Sequence, residues 1–97
     1  MALFTSPADF TEEDEAQNKV DLKSQVTLFI GQPTSTKIEI SRTTEGYHAE
    51  FTGDNSPTSP GTGGDQATTA AFAALDDASK TKITMVKQSN GNWTVTS

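Results

Sequence analysis

Lys19–Ile30 reads KVDLKSQVTLFI, and the fold turns on how this stretch is taken. Val20, Leu22, Ser24, Val26, Leu28 and Ile30 are apolar or small at every second position, with Asp21, Lys23, Gln25 and Thr27 between them. A period of two is that of a β-strand with one wet face. Taken so, the segment is a strand of about twelve residues, twice the usual length, and a large share of a small body is committed to one ribbon. Phe29 falls on the polar parity of that ribbon. Either another element covers it, or it is exposed as an anchor for a partner.

Downstream, Gly31–Ser35 is a turn, and Thr36–Arg42 resumes alternation with Ile38 and Ile40 on one face. Tyr47, Ala49 and Phe51 share a face of the next strand, opposite His48, Glu50 and Thr52. Residues 53–66 read GDNSPTSPGTGGDQ, with six Gly or Pro in fourteen and nothing hydrophobic, which predicts a flexible surface loop. Asp65 or Thr68 can then cap a short alanine-rich helix running to about Ser79, with Ala71, Phe72, Leu75 and Ala78 on one side. Ile83, Met85 and Val86 mark another strand, and Ser89–Asn92 is a hairpin turn before Trp93–Val95. Trp93, Tyr47, Phe51 and Phe72 are the expected aromatic core.

Upstream, Leu3, Phe4 and Phe10 stand among polar residues, and Glu12, Glu13, Asp14 and Glu15 form an acidic run. Thr11–Asp14 resembles a helix start, but Glu12–Asn18 offers no apolar residue except Ala16, so one or two helical turns are expected there. The predicted chain is therefore an acidic N-terminal arm, residues 1–18, and one small β-rich domain, residues 19–97. Its class is α+β, a mainly antiparallel sheet or small barrel in the order β-β-β-loop-α-β-β with one short helix.

The chain has 97 residues, of which 32% are hydrophobic, enough for a single thin core. A thin core favours further burial against copies of itself or a partner, and a homo-oligomer is expected. No cysteine is present, which excludes disulfides and thiolate metal sites. Neither a secretion signal nor an apolar run long enough for a membrane span appears, which predicts a cytoplasmic chain or one carried on a virion. The net charge is -6, of which -4 lies in the first twenty-three residues. Acidity without a basic stripe disfavours direct nucleic-acid binding.

Chemistry-bearing motifs are sparse. His48 is the one histidine, mid-strand beside Glu50 and without a nucleophile or second ligand near it in sequence. It reads as an exposed strand residue making a cross-strand contact. Asp54–Asp65 has the length of a calcium loop, but Ser59 stands where glycine is required and Ser56 and Thr58 where ligands belong. Gly61, Gly63 and Gly64 precede a helix, yet no lysine follows in phosphate-loop register. Asp76–Asp77 reads as a solvated pair. No catalytic residues, cofactor, metal or small-molecule substrate are expected.

In size, composition and arm-plus-body layout the chain looks like the small accessory or decoration proteins of tailed-phage heads. The expected function is accordingly a non-enzymatic structural or assembly subunit of a larger particle such as a phage virion, bound to a lattice or capsid protein. Leu3, Phe4, Phe10, Glu12, Glu13, Asp14, Glu15 and Phe29 are the expected partner-binding residues. The alternative is a small acidic inhibitor whose Glu12–Glu15 run occupies the basic cleft of a nucleic-acid enzyme.

Overall fold

A computed structural model describes residues 3–10, 15–43, 46–54, 62–77 and 79–96. The chain is an α+β domain with the element order β1 (Leu3–Phe10), α1 (Glu15–Ile30), β2 (Ser35–Thr43), β3 (Gly46–Asp54), α2 (Gly64–Leu75), β4 (Lys82–Lys87) and β5 (Trp93–Thr96). The strands form one antiparallel sheet in the order β1-β3-β2-β4-β5. It has two open edges, β1 and β5, and is not closed into a barrel.

The decisive stretch is a helix. Taken at 3.6 residues per turn, Leu22, Val26 and Ile30 follow one another at intervals of four on the same face, with Asn18 one turn earlier and Phe29 beside them. Leu22 and Val26 are fully buried, and so are Ile38, Ile40, Ile83 and Met85 on the sheet beneath. The same turn geometry sends Val20 and Leu28 to the opposite side, 58% and 64% exposed. Period-two alternation arose because both sides of this helix carry aliphatic residues. A strand would have buried all of them together.

Residues 3–10 also depart from expectation. They pair along their whole length with β3, from Leu3 opposite Asp54 to Phe10 opposite Tyr47, so this part of the expected arm is an edge strand of the sheet. Pro7 stands in the middle of that edge strand and has no N–H to offer. The helical turns expected between Glu12 and Asn18 are replaced by α1, which opens at Glu15, and the acids Glu12, Glu13 and Asp14 lie outside the described residues.

The two helices cover the same face of the sheet. Each bridges a pair of parallel strands across an intervening antiparallel one: α1 joins β1 to β2 over β3, and α2 joins β3 to β4 over β2. The two connections start from strands of opposite direction and step the same way across the sheet. They are therefore of opposite hand, and one takes the left-handed form that such crossovers seldom adopt.

The link from α1 to β2 is closed by backbone bonds from Gln32 N–H to the Phe29 carbonyl at 3.1 Å and from Ser35 N–H to the Gln32 carbonyl at 3.2 Å. The buried Ser35 hydroxyl also donates to the Phe29 carbonyl, which satisfies both groups at the helix end. A bulge at Thr36 follows, its hydroxyl donating to the Thr52 carbonyl at 3.1 Å. Helix α2 begins at Gly63, whose left-handed φ of 72° disfavours any residue with a Cβ, rather than at the expected caps Asp65 or Thr68. It ends at Leu75, earlier than expected. The Asp77 carboxylate accepts from the Ser79 amide at 3.0 Å and the Ser79 hydroxyl at 2.8 Å, closing a turn there. Of the loop expected at 53–66, Gly53 and Asp54 belong to β3, residues 55–61 lie outside the described residues, and Thr62 bridges to Asn92.

Leu22→Ala should lower unfolding free energy by about 3 kcal/mol, whereas Leu28→Ala should cost less than about 0.5 kcal/mol. Urea denaturation of the two variants checks this. Equal losses would return Lys19–Ile30 to one face of a strand.

Candidate functional site

With one face of the sheet buried, the surfaces left for recognition are the bare side of the sheet and the outer side of the helices. On the helix side, the four-residue interval runs Val20–Ser24–Leu28, with Lys23 and Thr27 alongside, and these five residues line a shallow apolar groove. The Ser24 hydroxyl donates to the Val20 carbonyl at 3.1 Å. A second depression adjoins it between the helices, lined by Lys19, Val20, Lys23, Thr69, Phe72, Ala73 and Asp76. The Lys19 ammonium and the Asp76 carboxylate form an ion pair that ties α1 to the end of α2 across this depression. Val20 belongs to both, so the apolar surface is continuous from α1 towards the half-buried Phe72.

The bare sheet face is polar and charged. Its rows follow from the strand register: Thr5, Thr52, Lys37, Val86 and Thr94 in one, Pro7, Glu50, Glu39, Thr84 and Thr96 in the next, and Asp9, His48, Ser41 and Lys82 in the third. Glu39 and Glu50 stand directly opposite each other, a like-charge pairing that destabilises a sheet. The Lys37 and Lys82 ammonium groups offset it by pairing with Glu39, Lys82 at 3.3 Å, and the hydrogen bond from Lys37 is the first cause of a Glu39 pKa below the ordinary carboxylate value. His48 makes the cross-strand contact expected of it. Its Nδ1 lies 2.5 Å from Asp9 Oδ1, and its Nε2 lies 3.6 Å from Glu50 Oε1.

The residues expected to bind a partner are scattered by the fold. Leu3, Phe4 and Phe10 lie in β1 at register positions opposite Asp54, Gly53 and Tyr47. Glu15 opens α1. Phe29 is not an exposed anchor: it is half-buried against the core, its ring centroid 5.1 Å from that of Phe51 at a tilt of 58°. Helix geometry puts Phe29 on the covered side because it lies three residues after Val26 and seven after Leu22, both fully buried. The pair that is exposed, Val20 and Leu28, falls on the apolar parity of the expected strand. A helical projection of the same twelve residues would have set them apart.

Among the described residues, no group of three or more His, Cys, Asp or Glu is placed to hold a metal ion. Two buried donors, Arg42 Nε and Trp93 Nε1, have no hydrogen-bond partner among the described residues. Arg42 lies 6.0 Å from the Tyr47 ring centroid, on the covered side of the sheet. No helix of the described residues is long and apolar enough to cross a membrane. Set against known proteins, the chain matches no family model, no curated protein and no solved structure.

Phe29→Ala should cost about 2 kcal/mol of stability, since it empties one side of the Phe51 contact. Chemical denaturation checks it. A loss below about 0.5 kcal/mol would restore Phe29 to the surface.

Proposed function

We propose that the chain is a non-enzymatic structural or assembly subunit that docks through the outer face of α1 onto the lattice-forming protein of a larger particle, such as a virion. The observation that carries this reading is the exposure of Val20 and Leu28 on one line of α1. Covering a large aliphatic side chain contributes about 1.5–3 kcal/mol, and two of them eight residues apart span about 12 Å of helix, enough to seat a crossing helix or strand. In a chain whose own core is thin, leaving two such residues in water is a cost that a partner would remove. The broad polar sheet face keeps the free subunit soluble.

The arm reading changes with the fold. Removing Met1–Phe10 would strip β1 from the sheet as well as delete Leu3, Phe4 and Phe10, so truncation no longer separates attachment from folding. Point substitution on α1 does.

The test compares the wild-type chain, tagged at its C-terminus and recovered from its native source, with V20S/L28S. Wild type should bring down a capsid or other lattice protein in stoichiometric amount, and the double variant should lose at least about tenfold of it while melting within a few degrees of wild type. Undiminished recovery with V20S/L28S overturns the docking face. Recovery of a nucleic-acid enzyme, lost when Glu12, Glu13, Asp14 and Glu15 are changed to Gln, would establish the inhibitor instead.

A further inference from the structure

We propose that Asp9, His48 and Glu50 form a proton-sensitive latch that holds the edge strand β1 on the sheet. The latch is a property of the fold and is independent of what the chain docks to. Asp9 of β1 and His48 of β3 are directly opposite in the register, and each nitrogen of the imidazole faces a carboxylate, Nδ1 towards Asp9 at 2.5 Å and Nε2 towards Glu50 at 3.6 Å. An imidazolium has a proton for each of them; a neutral imidazole has one proton in all and must leave one carboxylate unanswered.

The surroundings make that loss matter. Ser41 is opposite His48 on β2, and Lys82 is opposite Ser41 on β4, but the Lys82 ammonium is engaged by Glu39, as is Lys37. Arg42 lies on the other face of the sheet, over Tyr47. Glu45 and the acids Glu12, Glu13 and Asp14 lie outside the described residues. Once His48 is neutral, Asp9 and Glu50 are left as two carboxylates diagonal across the seam between β1 and β3, with Glu39 opposite Glu50 on β2, and among the described residues the seam has lost its own cation. Strand β1 is the element where such a loss can show: in the sheet it pairs with β3 alone, and its partner follows about forty residues later in the chain.

The direction is set by the histidine. The hydrogen bond to Asp9 is the largest influence and holds the His48 pKa above its ordinary 6.5; burial, the next, opposes it, and the contact with Glu50 adds to the rise. A histidine whose folded value is raised stabilises fully below the unfolded value, and the contribution is lost as pH rises through the folded value. The latch is therefore closed at pH 6 and opens as pH climbs from about 6.5 through the raised value. His48 is about one-third exposed, so the effect is that of a surface ion pair, a two- to fivefold change in the opening of β1.

Amide hydrogen exchange by NMR between pH 5.5 and 8.5, with rates corrected for intrinsic exchange, reads this directly. In the wild-type chain, protection of β1 amides relative to those of β2 and β4 should fall about two- to fivefold over that range. In H48Q it should be low and flat. D9N should loosen β1 at pH 6, leave β2 and β4 protected, and lower the His48 titration midpoint. An equal fall in H48Q, constant relative protection in wild type, or a His48 midpoint at or below 6.5 would overturn the latch.

Discussion

The rest of the structure hangs on a row of three aliphatic side chains, Leu22, Val26 and Ile30, laid at intervals of four along α1. A five-stranded sheet with an apolar face must cover it, and this row covers one half while Ala67, Ala71 and Leu75 of α2 cover the other. The alanines let α2 come close. So does Gly64, where a Cβ would sit 3.0 Å from Ile30 Cδ1 and 3.4 Å from Trp93 Cδ1. The first turn of α2, the last turn of α1 and the start of β5 thus meet at one point, and the size of residue 64 sets how near the helices approach the sheet.

The opposite face of the sheet obeys a different physics. There, pairing depends on charges in contact with water, each worth little alone, arranged so that a Glu39–Glu50 opposition is offset from either side. Such a face tolerates substitution, and it is indifferent to packing. The molecule therefore has one side on which volume decides and another on which sign decides, with the α1 groove as the place where an apolar surface reaches solvent.

Much of the body is legible in the chain. Ile38 and Ile40, Tyr47, Ala49 and Phe51, and Ile83 and Met85 alternate with polar neighbours, and all of them are buried. Strand β2 lies within a residue of where the alternation put it. Helix α1 is where the reading fails, because Val20 and Leu28 lie outside the core and fill the gaps of a helical pattern until it mimics a strand. Two signals pointed the other way: twelve residues is long for a strand, and the acids before the segment and Gly31 and Pro33 after it bracket a helix. The pairing of β1 was hidden for another reason. Its partner lies some forty residues on, beyond what local periodicity can see, and Pro7 disguises it as a non-strand. Phe29 and the Val20–Leu28 pair exchange roles as a direct result, since the candidate site depends on which period is chosen.

Pro7 has a consequence for crowding. An edge strand with all its outward amides intact is a template on which another chain can lay a strand, and that chain another, without limit. A proline in the middle of β1 breaks the row of donors, so a ladder added there would be interrupted within a few residues. The other edge, β5, is only four residues long, and its Trp93 amide is already given to the Thr62 carbonyl at 2.9 Å. Both edges of the sheet are thus guarded against growth into fibres when the chain is concentrated.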